Sequence, residues 1–487
     1  MARFPVHDAW RGNLEIFRSA DRAKGVHMRI LRYGDHLKRA VIASEDDGFV
    51  NHEGVDWNAI EKAWERNAKA EAAKLQALID KQKGGFTLQP WDWDFYSEQV
   101  RKAEYDLDEA ALKPYFELDS VLHNGVFFAA HELYGISFRQ RTDLPVYHPD
   151  VRVFDIVDTT GETIGLFYGD YYARDNKNGG AWMDSYVDQC GLLGLQPVIT
   201  QNCNFVKPAP GQPCLLSFDD VTTLFHEFGH ALHGMLSKQK YPLFCGTATT
   251  TDFVEFPSQF NENWATDPKV FAHYAKHFKT GEPMPQELVD RLNKSDKFNQ
   301  GYLTSEYLAA ALLDIEWHSL SADAPMVTDV ETFERAALAK YGLLNEQVPP
   351  RYKSAYFSHI WGGGYAANYY AYMWSEVLDA DAYEWFKEHG GMTRANGVHF
   401  RTTVLSQGGS KESGQLFRDF AGRDARVEPL LHRRGLQLPR VPRHLQRRPR
   451  RIRDRPSTRQ HQRIRSICPR QLRIRILADR HHTAARE

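Results

Sequence analysis

The feature that most constrains this chain is Phe225-His226-Glu227-Phe228-Gly229-His230, set within VTTLFHEFGHALHGML. Leu224, Phe228, Ala231, Leu232 and Met235 recur at three- and four-residue spacing, and the preceding SFDD offers Ser217 or Asp219 as an N-cap, so a helix is expected here. At 3.6 residues per turn, His226 and His230 stand one turn apart on one face, where both imidazoles reach a single ion. Glu227 lies beside them, placed to hold a water molecule. That is half a metal site. A catalytic zinc takes three protein ligands and leaves a position for water, so another ligand is needed. His233 is the nearest histidine, but three side chains from one straight helix do not surround an ion tetrahedrally. Glu255, in TDFVEFPSQFNE, is the better candidate, because a carboxylate in a Val/Phe setting is costly to bury without a partner. Taken alone, Glu255 also reads as an ordinary helix carboxylate. The motif itself is only moderately specific in a chain with 21 histidines.

The 487 residues, 42% hydrophobic and 13% aromatic, are enough for two or three lobes around a large core and exclude disorder, collagen and coiled coil as whole-chain descriptions. No stretch approaches the roughly 20 apolar residues of a membrane helix, and the start lacks an export-signal core. No membrane association is expected. Five scattered cysteines without a CxxC pair suggest a reducing compartment rather than a disulfide framework. Cytoplasmic localisation follows, with a periplasmic one left open should an export signal have been lost with the N-terminus.

A net charge of −2 hides a split. Residues 437–487 carry 16 Arg, no Lys, three acidic residues, no Gly and no aromatic, a net +13. The preceding 436 residues hold 45 basic and 60 acidic side chains, a net −15. One reading of this tail is a basic arm for nucleic acid or another polyanion. The preferred one is a non-native, disordered segment of the kind a GC-rich gene yields in a shifted frame, since no aromatic interleaving supports nucleic-acid binding.

Helical spacing marks 57–83, closed by Gly84-Gly85, and extends over 91–113 and 118–133. From Val151 the rhythm alternates: VRVFDIVDTTGETIGLFYGDYYAR reads as strand, Thr-Gly turn, strand, with a further strand over 179–183. After KPAPGQPC the pattern is helical to about Arg434.

LFHEFGHALHGMLS followed by GTATTTDFVEFPSQFNENW, and the later SHIWGGGYAANYYAYMWSE, resemble the zinc metallopeptidase family of thimet oligopeptidase and dipeptidyl carboxypeptidase. Three motifs in order cover about Trp64 to Gly435, and IWGGGYAA is most similar to the dipeptidyl carboxypeptidase branch. The resemblance implies a mainly α, two-lobed zincin-like fold with a deep substrate channel and a small sheet beside the HExxH helix. It implies one Zn2+ held by His226, His230 and Glu255, with Glu227 passing the proton of zinc-bound water to the leaving amine. Tyr365, Tyr372 and His359 match family residues that contact substrate or stabilise the oxyanion; Tyr369 and Tyr370 read as a packed helix face. The expected activity is hydrolysis of short peptides by a monomer, releasing C-terminal dipeptides. The alternative is an incomplete, inactive zinc-binding fragment, since the family's N-terminal wall is largely absent. The expected division is an unplaced 1–56, an incomplete helical lobe over 57–150, a catalytic domain over 151–435 and the tail over 436–487.

Overall fold

A computed structural model describes residues 57–295 and 297–435, so the expectations for 1–56 and 436–487 lie outside the described residues. The fold is mainly α with one five-stranded sheet. Helix α1 (Trp57–Lys81) stops where expected, with Lys83 and Gly85 at φ of 61° and 72°. The helix anticipated over 91–113 is broken. Helix α2 (Trp93–Tyr105) ends at Asp106, which is left-handed at φ 50°, and Asp108 then caps a separate turn, Glu109–Leu112, by accepting the Ala110 N–H at 3.0 Å. An Asp side chain that satisfies backbone donors itself competes with the continuing helix. Residues 118–134 are helical, winding as a π-helix over Val121–Phe127.

The sheet comprises β1 (Ser137–Arg141), β2 (Arg152–Val157), β3 (Thr163–Tyr172), β4 (Trp182–Val187) and β5 (Val198–Phe205), in the order β1-β2-β3-β5-β4. Only β3 and β5 are parallel. Alternation locates β2 and β3, with Gly161 at φ 86° in the turn between them. Strand β4 begins at Trp182 rather than at 179, because Gly180 takes φ 81° in the preceding turn. Neither β1 nor β5 is legible from periodicity. In β5 the polar Thr200, Gln201 and Asn202 are all buried, so the strand lacks the usual apolar signature.

Helix α3 (Phe218–Met235) lies against β4 and β5 on one side and α4 (Thr251–Thr266) on the other, and α4 packs in turn against α6 (Ala371–Glu388). Helix α5 (Gln300–His318) packs on α1. Phe225, Phe228, Phe256, Phe260 and Trp264 are fully buried in the core around α3 and α4. Burying each such ring stabilises by about 1.5–3 kcal/mol. Two glycines set how closely α3 approaches its neighbours. A Cβ at Gly229 would lie 2.6 Å from the Pro257 carbonyl of α4, and one at Gly234 would lie 2.7 Å from both Ile199 of β5 and Met183 of β4. Among the described residues no helix is long and apolar enough to cross a membrane.

Candidate active site

Helix α3 is started by Ser217 rather than Asp219. The Ser217 hydroxyl accepts the Asp220 N–H at 3.0 Å, and the Asp220 carboxylate accepts the Ser217 N–H at 2.9 Å. This reciprocal cap fixes the first turn two turns before the histidines. The His226 and His230 rings stand 5.0 Å apart on one face. Their Nε2 atoms lie 3.3 and 3.1 Å from Oε2 of Glu255, which α4 delivers and which is only 3% exposed. One donor atom from each of His226, His230 and Glu255 falls within 4.8 Å of the others. Burial opposes charge on Glu255, but the two imidazoles outweigh it and hold the carboxyl well below its usual range. Two imidazole nitrogens and one carboxylate oxygen fit a divalent cation.

The surroundings orient this set. Ser258 donates to Glu255 Oε2 at 3.1 Å, and the Tyr365 hydroxyl donates to Oε1. On the far side of the His226 ring, Nδ1 meets Glu262 Oε1 at 2.6 Å. Glu262 escaped sequence analysis, although it follows Glu255 by two helical turns and so shares its face. Glu227 is 6% exposed, Oε2 has no hydrogen-bond partner, and burial raises its carboxyl above the ordinary range. A carboxylate so placed is a stronger base than one in water. His233 stays outside the cluster, fully buried with neither ring nitrogen hydrogen-bonded.

The Gly/Tyr segment closes the other side. After one helical turn, Ser358–Trp361, the chain loops to α6, passing Ala367 at φ 56°. That strained residue is held by Asp314 of α5, whose two carboxylate oxygens accept the N–H groups of Ala367 and Tyr369, both at 2.8 Å. Asp314 is the second functional residue that the sequence did not reveal; nothing in its helical spacing marks it. The Tyr365 and Tyr372 rings stack at 5.3 Å, and His359 stands 5.9 and 6.3 Å from them. Burial pushes both phenols upward in pKa, which keeps them protonated as donors. Burial, and then the charge of Arg351, lower His359. Tyr369 is a packed ring, 3% exposed, as expected.

Two imidazoles one turn apart and a carboxylate from a second helix, with a buried carboxylate beside them, form a candidate metal site. The chain belongs to peptidase family M3, which residues 57–436 match. It is 54% identical to the dipeptidyl carboxypeptidase of Escherichia coli strain K12, over 77% of this chain and 55% of that protein. To oligopeptidase A of the same strain it is 40% identical, over 75% and 54%. The chain thus spans about half the length of the curated relatives it matches. Among solved structures, the M32 carboxypeptidase of Deinococcus radiodurans R1 aligns at a TM-score of 0.39 and 14% identity, over 89% of this chain and 93% of that one. Residues 13–88 also match a transglycosylase family, a likeness that the sequence reading of the N-terminal segment did not find.

Proposed function

We propose that this chain is a zinc-dependent peptidase that cuts short peptides, releasing C-terminal dipeptides. The convergence of His226, His230 and Glu255 within 4.8 Å, with Glu227 next to them, carries the reading. His226, His230 and Glu255 hold the ion, which when bound supplies Lewis acidity and a water of lowered pKa. Glu227 accepts a proton at Oε2 and returns it to the leaving amine. Tyr372, kept protonated by burial, donates to the oxygen on which charge develops, Tyr365 turns its hydroxyl from Glu255 to the same oxygen, and His359 positions the peptide beside them. Among the described residues strand β4 is the last of the sheet order and pairs only with β5, so its outer edge offers backbone groups to an extended peptide next to α3. Cys190, Cys203, Cys214 and Cys245 are buried and free, which supports a reducing, cytoplasmic compartment.

The experiment is to measure zinc content and hydrolysis of a blocked tripeptide together, with and without residues 437–487. Stoichiometric zinc and chelator-sensitive dipeptide release are expected. Glu227→Gln should keep the zinc and lower turnover by about 10²–10⁴-fold. Zinc without turnover in the parent chain would favour the inactive-fragment reading.

A further inference from the structure

The glycine-rich segment that carries His359, Tyr365 and Tyr372 hangs between two helices. On one side Gln259 of α4, the helix that delivers Glu255, donates through Nε2 to the Tyr372 carbonyl at 3.0 Å. On the other side α5 supplies Tyr307, Asp314 and Trp317. The Tyr307 hydroxyl donates to the Tyr369 carbonyl and accepts the Met373 N–H at 3.2 Å. Trp317 reaches the front of the segment through Ser354: its Nε1 donates to the Ser354 hydroxyl, and Trp361 Nε1 donates to the Ser354 carbonyl, both at 2.7 Å.

Asp314 is the member whose cost demands a return. It is fully buried, with Leu312, Leu313 and Ile315 buried around it, and a carboxylate is expensive there unless its oxygens are paired. Its partners are the Ala367 and Tyr369 N–H groups and His318 Nδ1, which lies 2.8 Å from Oδ1. Two of the three stand 53 and 55 residues further along the chain, so these bonds order the loop rather than α5. What they order is Ala367. A φ of 56° burdens a residue with a Cβ, and such a conformation persists only where its surroundings enforce it. Tyr365 precedes that point by two residues and Tyr372 follows it by five, so relaxation of Ala367 to negative φ would shift both hydroxyls relative to Glu255.

We propose that Asp314 is a positioning residue for hydrolysis: by fixing Ala367 and Tyr369 it sets where the hydroxyls of Tyr365 and Tyr372 stand against the metal site, with Tyr307 as a second support. This rests on the proposed peptidase function. The two donors meet the substrate oxygen fully only in the transition state, so loss of the anchor falls on kcat and spares KM.

The test uses the full zinc-loaded chain and an N-blocked tripeptide. Asp314→Asn keeps the shape of the side chain but replaces one acceptor by a donor that faces a backbone N–H or the imidazole. It should lower kcat about 10- to 100-fold, a displacement of about 1 Å being sufficient, with KM within roughly 3-fold of the parent value and zinc affinity unchanged in chelator competition. Adding Ala367→Gly should restore part of the lost kcat, because glycine takes a positive φ without an anchor. An unchanged kcat in Asp314→Asn, a fall accompanied by loss of zinc affinity, or no recovery on adding Ala367→Gly overturns the proposal. Should Asp314→Asn not fold by circular dichroism, Tyr307→Phe takes its place: lower kcat at constant KM supports the proposal and unchanged kcat overturns it. If the parent chain cuts no peptide, the peptidase reading fails, and hydrogen exchange decides on the anchor. Faster exchange over residues 365–373 in the variant, with exchange over α4 unaltered, supports it; equal exchange, or acceleration that extends to α4, overturns it.

Discussion

At the scale of single residues, the telling contact is the one on the outer nitrogen of His226. A carboxylate that accepts from Nδ1–H fixes the tautomer, leaves Nε2 as the ligating atom and raises its basicity. Glu262 is in that position at 2.6 Å. Glu262→Gln is expected to weaken zinc binding about 10-fold, and Glu262→Ala nearer 100-fold, in a chelator competition, while both proteins stay folded by circular dichroism. Undiminished affinity in the alanine variant would reduce Glu262 to a surface contact. The candidate ligand set was legible, His226 and His230 through their spacing and Glu255 through the family resemblance of its EFPSQ segment. Glu262 was not, since its role depends on which face of α4 turns toward α3, and a helix does not announce its partner.

At the scale of elements, the site depends on how closely α3 and α4 approach, because the histidines ride on one and Glu255 on the other. Gly229 permits that approach. In Gly229→Ala the new methyl meets the Pro257 carbonyl at 2.6 Å, a backbone atom that does not swing aside. The substitution should destabilise the protein by about 1–3 kcal/mol in urea unfolding and also reduce zinc affinity, as the two helices part. A change in neither quantity would show that the helices have slack. The helices were readable from 3.6-residue spacing and the β2–β3 hairpin from alternation. Strand β5 was hidden because polar residues are buried along it, Gln201 donating through Nε2 to the Leu224 carbonyl of α3 at 2.9 Å. No local pattern encodes such a bond.

At the scale of the whole molecule, His233 couples stability to pH. Burial lowers its pKa from 6.5 to about 3. Between those values the unfolded chain binds a proton that the native chain refuses, so stability is lost as pH falls below 6.5. The slope approaches about 1.4 kcal/mol per pH unit. His233→Leu should flatten the decline of the urea midpoint from pH 7 to pH 5, measured with chelator in both proteins so that metal release does not contribute. Parallel declines would mean that the ring finds a partner in solution. The mainly α class and the order of the motifs were legible over this scale.

The open side of β4 has a last implication, for the protein at high concentration. Backbone groups able to pair with a peptide are equally able to pair with the same strand of a second molecule, and an exposed edge is a template for such growth. Asp184 stands exposed in the middle of that strand. In an antiparallel meeting centred there, two like charges would face each other and repel. An aspartate at that position opposes the pairing of β4 with its own copy.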